Sequence, residues 1–160
     1  MNKADIVQKI IEQLNDKISV LTKSAKEAHE VATSEEFAAK SKYETFALES
    51  SYLAEGQAKR AEELREALEA YQVISNRKYS KNTPIDLTAL ITLEDEEGKK
   101  KTVYLGPFAG GMKLKFKSNE VTVVTPSSPL GKALVGRKQG EVFEFAIQAT
   151  MVEYEISKVE

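Results

Sequence analysis

The sequence predicts an α+β chain in which a long antiparallel coiled-coil hairpin precedes an antiparallel sheet domain with one short helix. Three observations predict it. Apolar residues recur at three- and four-residue steps from Ile6 to Ala28 and again from Tyr43 to Tyr71. Before residue 81 the only helix breaker is Gly56, whereas the other seven glycines and all four prolines come later. From Asp86 onward, apolar and polar residues alternate with period two.

The first stripe is Ile6, Ile10, Leu14, Ile18, Leu21, Ala25 and Ala28; the second is Tyr43, Phe46, Ser50, Leu53, Gln57, Leu64, Leu68 and Tyr71. They predict helices over about 3–32 and 42–75, narrow-striped enough to bury their apolar faces only against each other. Thirty residues at 1.5 Å each make a finger of roughly 45 Å. Near its tip the stripe residues Ala25, Ala28, Ala32 and Ser50 are small, which predicts a slender distal end. Two capping boxes, Thr33-x-x-Glu36 and Ser41-x-x-Glu44, compete for the start of the second helix, so the turn between them is not fixed by sequence. The polar stretch 75–84 ends at Pro84, which places the domain boundary near residue 80 and predicts an adjustable junction.

Beyond the boundary, Leu87, Ala89, Ile91 and Leu93 share one strand face, and the charged turn 94–100 holds Gly98. Strands follow over 102–105, 112–117 and 121–125. Ser127 or Ser128 caps a short helix that has Pro129 in its first turn and Gly136 as its stop. Segments 141–148 and 152–159 close the domain as an antiparallel hairpin. Lys113, Lys115 and Lys117 fall on one face of a strand, the pattern that guards a sheet edge.

Composition narrows the function. The chain has 160 residues, no cysteine and a net charge of −2. Disulfides and thiolate metal sites are excluded, and a reducing compartment fits. No apolar run reaches the length of a membrane span, and acidic residues interrupt the N-terminus early, so a cytoplasmic protein is expected. Charge is balanced in both halves, 12 basic and 14 acidic residues before residue 81 and 11 of each after, which argues against a general nucleic-acid binder. Gly110-Gly111 lacks the lysine of a phosphate loop, and a lone His29 cannot chelate a metal.

The segment SPLGKALVGRKQGEVFEF and the terminal YEISKVE, behind a long helical hairpin, resemble the Gre-type transcript cleavage factors of bacteria. Ser128, Pro129, Leu130, Leu134, Val135 and Gly136 carry the likeness in the second domain; EAHE (27–30), KYET (42–45) and SYLAEGQAKR (51–60) carry it in the hairpin. The resemblance implies an FKBP-like second domain that docks on RNA polymerase while the finger enters its secondary channel. It implies indirect contact with nascent RNA, no membrane, and action as a monomer. No tightly bound cofactor is implied, only a Mg²⁺ shared with the polymerase. A carboxylate delivered to that ion would help to cut backtracked RNA, since hard divalent cations prefer oxygen ligands and paired metals stabilise both oxygens of the displacement.

Cleavage-active tips of that family present an Asp and then a Glu-Asn pair before a tyrosine. Here Lys40-Ser41-Lys42 precedes Tyr43, and the remaining tip acids are Glu35, Glu36 and Glu44. Glu36 and Glu44 are the candidate catalytic and metal-facing carboxylates, with Glu35 the third. Each also has a plain structural role open to it, as a capping-box partner or a solvated helix charge. The functional expectation is therefore an elongation factor that stimulates the polymerase's own RNA cleavage, without an activity of its own. The alternatives are a channel occupant that regulates without cleavage, an FKBP-type prolyl isomerase with a helical arm, and a silent scaffold hairpin. Few aromatics and no tryptophan in 81–160 argue against the isomerase.

Overall fold

Helix α1 spans Lys3–Thr33 and α2 spans Ser41–Val73, within two residues of the helices the apolar spacing predicts. The computed structural model describes residues 2–33, 41–117, 119–147 and 150–160, without the side chains of 41–44. Chain contacts gather into two units, Ile11–Gln72 and the combination of Met1–Ile10 with Val73–Glu160.

In the helical unit, Arg65 Nη2 on α2 donates to Thr22 Oγ1 on α1 at 3.3 Å, so the helices lie side by side there. Chain length then decides their sense. Were they parallel, the end of α1 and the start of α2 would stand about 50 Å apart at 1.5 Å per residue. The eight Cα steps from Thr33 to Ser41 cover at most about 30 Å. The pair is antiparallel.

The seam differs between the two helices. On α1, Leu14 and Ala28 are buried and Ile18, Leu21 and Ala25 half-buried, as their spacing predicts. On α2 the inward residues are Ser50, Ala54, Gln57, Ala61, Leu64, Ala67 and Tyr71, a heptad-like run one position away from part of the predicted stripe. Phe46 and Leu53, expected inside, are exposed. A ranking by hydrophobicity misses this because the seam is built from alanines, which permit close approach of the helices.

The second unit holds strands β1 (Leu90–Asp95), β2 (Lys100–Leu105), β3 (Lys113–Phe116), β4 (Asn119–Val124), β5 (Val142–Ile147) and β6 (Thr150–Val159), with α3 (Pro129–Leu134) between β4 and β5. They form one sheet in the order β3-β4-β2-β1-β6-β5. Every pairing is antiparallel except β2 with β4. The register sorts the side chains into two layers. Ile91, Leu93, Val103, Leu105, Val124, Phe143, Tyr154, Ile156 and Val159 join Leu130 and Leu134 of α3 in one core. Leu90, Tyr104, Leu114, Val121 and Val123 face the other way and are also buried. The first turns of α1 belong to this unit, with Ile6 and Ile10 fully buried and Lys9 donating to the carbonyl of Lys115 while its ammonium lies 4.7 Å from the Phe116 ring centre.

Local signals in the sequence are realised in detail. Ser128 is the N-cap of α3, its Oγ accepting from the Gly131 amide at 3.1 Å and donating to the Thr125 carbonyl at 2.7 Å. Gly98 and Gly136 adopt positive φ at their turns. The start of α1 carries a cap that the sequence signals above do not include. Asn2 Oδ1 accepts from the Ala4 amide and Asp5 Oδ2 from the Asn2 amide, the reciprocal arrangement of a capping box.

The stretch 75–84 is not the free polar linker its composition suggests. The Arg77 amide donates to Thr88 Oγ1 at 2.9 Å and its guanidinium pairs with Asp86 at 2.6 Å. The Tyr79 hydroxyl donates within reach of the carbonyls of Asp86 and Leu87, and Tyr104 Oη binds Asn76 Oδ1 at 3.2 Å. Polar residues here exchange water for named partners on the sheet unit.

Candidate functional site

Glu35 and Glu36, with Lys40, lie outside the described residues, and Glu44 stands in the first turn of α2 without a described side chain. Ser41, where one of the two competing cap signals begins, is the first residue of α2, and the other signal, Thr33-x-x-Glu36, runs into residues outside the described ones. Thr33 is the last residue of α1, its hydroxyl turned back to donate to the His29 carbonyl at 2.9 Å, the usual habit of a threonine within a helix. His29 is exposed on α1. Among the described residues no three His, Asp or Glu side chains gather into a metal site.

The distal part of the helical unit has a second property that composition conceals. Phe46, Leu48, Tyr52 and Leu53 are exposed by 48, 55, 65 and 54%. At 100° per residue, Phe46 and Leu53 flank the alanine seam, and Leu48 and Tyr52 project from nearly the opposite side. Apolar groups on several faces of one helix are the mark of a segment that works inside other matter rather than in water. On α1, Lys23 pairs with Glu27 at 3.8 Å and Lys26 with Glu30 at 4.0 Å along their own helix. Further from the tip, Val20, Leu21 and Leu64 line an apolar cleft of about 400 Å³ rimmed by Asp16, Lys17 and Arg60.

The sheet unit offers two shallow clefts of about 540 Å³. One is polar, between Lys99, Lys101, Lys113, Thr122 and Glu120, and its Lys113 is already paired with Glu120 at 3.2 Å. The other borders Tyr79, Pro84, Ile85, Val135 and Gly136. Tyr79 is its one aromatic, with a hydroxyl committed to backbone carbonyls and a proton held more firmly than usual, chiefly through burial and then through the charge of Asp86. That is poor equipment for gripping a proline ring, and the isomerase reading gains nothing from it. Burial also pushes the Tyr104 hydroxyl up to about 12, and desolvation lowers Lys3 despite the opposing charge of Glu160. These groups are structural ties, not reactive ones.

Residues 80–160 match the family model described as "Transcription elongation factor, GreA/GreB, C-term". A transcription elongation factor GreA from Bradyrhizobium sp. is 36% identical over 101 residues, covering 63% of this chain and 60% of the relative. One from Rhodospirillum rubrum is 29% identical over 100 residues, covering 62% and 60%. The matched stretch thus spans less than two thirds of those relatives' length. Among solved structures, the GreA factor homolog 1 protein of Thermus thermophilus aligns over 96% of this chain and 94% of its own, at 16% identity and a TM-score of 0.39. A GreA/GreB factor from Nitrosomonas europaea aligns over 62% and 77%, at 16% identity and a TM-score of 0.38.

Proposed function

The chain belongs to the GreA/GreB transcription elongation factor family, and from that premise we propose that it binds bacterial RNA polymerase in the cytoplasm with its helical hairpin inserted into the enzyme. The observation that carries this is the exposed set Phe46, Leu48, Tyr52 and Leu53 on several faces of distal α2. A partner touching one face would leave half of these groups in water; an enclosing channel covers them all. Burying the exposed half of four such side chains contributes on the order of 1 kcal/mol each before the cost of association is counted. The sheet unit supplies the docking body, and the polymerase supplies the catalytic centre.

Within that complex, Glu36 or Glu44 delivers a carboxylate to a Mg²⁺ held by the polymerase, with Glu35 the third candidate. A Mg²⁺ held there would polarise the phosphodiester and lower the pKa of an attacking water. The chain's own part is to place an anionic oxygen donor at the ion and to fill the channel around it. It carries no separate cofactor and touches nascent RNA only through this placement.

Lys40, Ser41 and Lys42 support a second reading, in which the finger occupies the channel and tunes the enzyme without cleavage. Two ammonium groups beside the acids weaken cation binding by like-charge repulsion, most strongly where water is excluded. One experiment separates the readings. Stalled, backtracked elongation complexes are incubated with the protein and Mg²⁺. Shortened transcripts that can be re-extended support cleavage. Unshortened transcripts with slowed elongation support the regulator, and no effect on either refutes polymerase action.

A further inference from the structure

The lysines of the sheet unit do not all have the same reason to be there. Lys113 and Lys115 stand on β3, at the edge of the sheet, where charge blocks unwanted strand pairing. Lys101 needs another explanation. It stands on β2, an interior strand with β4 on one side and β1 on the other, which has no edge to guard. Alternation puts it on the same side of β2 as Val103 and Leu105, both members of the core that packs on α3. Yet Lys101 is exposed, because at this end of the strand the core gives way to the polar cleft described above.

The cleft gathers charge from three segments. Lys99 comes from the turn before β2, Lys101 from β2 and Lys113 from β3, around Thr122 of β4. With Lys100, four lysines line it against two acids, in a chain whose net charge is −2. Both acids are engaged. Asp95 accepts from the amides of Glu97 and Lys99 at 3.1 and 2.8 Å, and Glu120 pairs with Lys113 at 3.2 Å. Lys100 pairs with Glu94 at 3.5 Å. Lys99 and Lys101 enter no ion pair among the described residues. A cleft with uncompensated charge of one sign concentrates ions of the other.

We propose that this cleft binds a diphosphate group, either free pyrophosphate or the phosphate end of a nucleoside di- or triphosphate. Its volume of about 540 Å³ suits a small ligand. Ammonium groups bind phosphate as point charges, and the Thr122 hydroxyl and Asn119 amide add neutral donors for its oxygens. Lys99 and Lys101 are two residues apart, no more than about 7 Å between Cα atoms, so linked phosphates can engage both at once where a single phosphate engages one. Tyr154 lines the cleft but is only 7% exposed, so no ring is offered to a base and the ligand is held through its phosphates. Glu120 restrains the affinity, since it repels the ligand and occupies Lys113. Binding here requires no polymerase.

An NMR titration of the full chain in metal-free buffer tests this, with pyrophosphate, ATP, AMP and a short single-stranded RNA as probes. Pyrophosphate and ATP are expected to shift the amides of residues 99–102, 113 and 119–122 saturably, and AMP to bind at least tenfold more weakly. Equal affinities for pyrophosphate and ATP mark a site for any diphosphate end; much tighter ATP marks a nucleotide site. Lys101 and Glu120 are exposed, so substitutions there should leave the fold intact. Lys101→Gln is expected to weaken pyrophosphate binding several-fold. Glu120→Gln is expected to tighten it several-fold by freeing Lys113, a gain that lysines serving only solubility or edge protection would not show. The absence of saturable shifts would overturn the proposal. So would binding that survives Lys101→Gln unchanged, a Glu120→Gln variant that binds no better, or a preference for RNA over pyrophosphate.

Discussion

Gly131 shows how tightly one residue can be specified. A Cβ built there would lie 1.9 Å from the Thr125 carbonyl oxygen, a contact no backbone tolerates without moving. Gly131→Ala is therefore expected to destabilise the sheet unit by more than the loss of the adjacent cap. Ser128→Ala, which removes that cap and its bond to the Thr125 carbonyl, is expected to cost about 1 kcal/mol. Denaturant unfolding of both variants checks the order. Tyr104 gives a second expectation. Its hydroxyl is pushed up to about 12 by burial, so the neutral form is favoured in the folded state. The stabilisation is complete below the unfolded value near 10 and is lost as pH rises from there through 12. Alkaline unfolding followed by phenolate absorbance should show this, and Tyr104→Phe should reduce the dependence.

At the scale of elements, glycine and proline placement, strand alternation and the caps at Ser128 and Gly136 make most of the fold legible in the sequence. The short helix and five of the six strands sit close to where period two and turn chemistry put them. Strand β1 is displaced: it starts at Leu90, because Leu87 and Thr88 form a turn with Thr88 at φ 72°, and it runs on through Glu94 and Asp95, which the sequence places in the hairpin turn. Three features are not legible there. The alanine seam of α2 escapes because hydrophobicity ranks Phe46 and Leu53 above Ala54 and Ala61, while close helix packing favours the smaller residues. The parallel β2–β4 pair depends on a crossover that no local signal announces. The anchoring of 75–84 depends on Thr88, Asp86 and Asn76 finding partners by tertiary contact. The candidate site is legible only as chemistry: residue type singles out Glu35, Glu36 and Glu44, while their geometry depends on a turn that two capping boxes contest. Gly56 offers a test of the helical unit. Nothing lies within 4 Å of a Cβ built there, so Gly56→Ala should stabilise the hairpin by about 1 kcal/mol without altering its packing. A lower melting temperature would mean that the helices approach there more closely than this structure shows.

For the whole molecule, stability and function are expected to separate along α2. Tyr52→Ser and Leu48→Ser remove exposed apolar groups, so unfolding should change by no more than about 0.5 kcal/mol. Affinity for polymerase should fall by about tenfold or more for the pair, since each group loses its burial only in the complex. Glu36→Gln or Glu44→Gln should instead leave binding intact and abolish cleavage if that residue faces the metal. Lys40-Ser41 replaced by Glu-Asn should strengthen cleavage. The most direct measurement of the central claim is photocrosslinking from positions 46, 48, 52 and 53, the middle two on the opposite side of the helix from the outer two, in a complex with RNA polymerase. Insertion requires crosslinks to polymerase from all four positions, at sites surrounding one channel. Crosslinks from only one pair, or only from the sheet unit, would contradict it and make the hairpin a surface-bound arm.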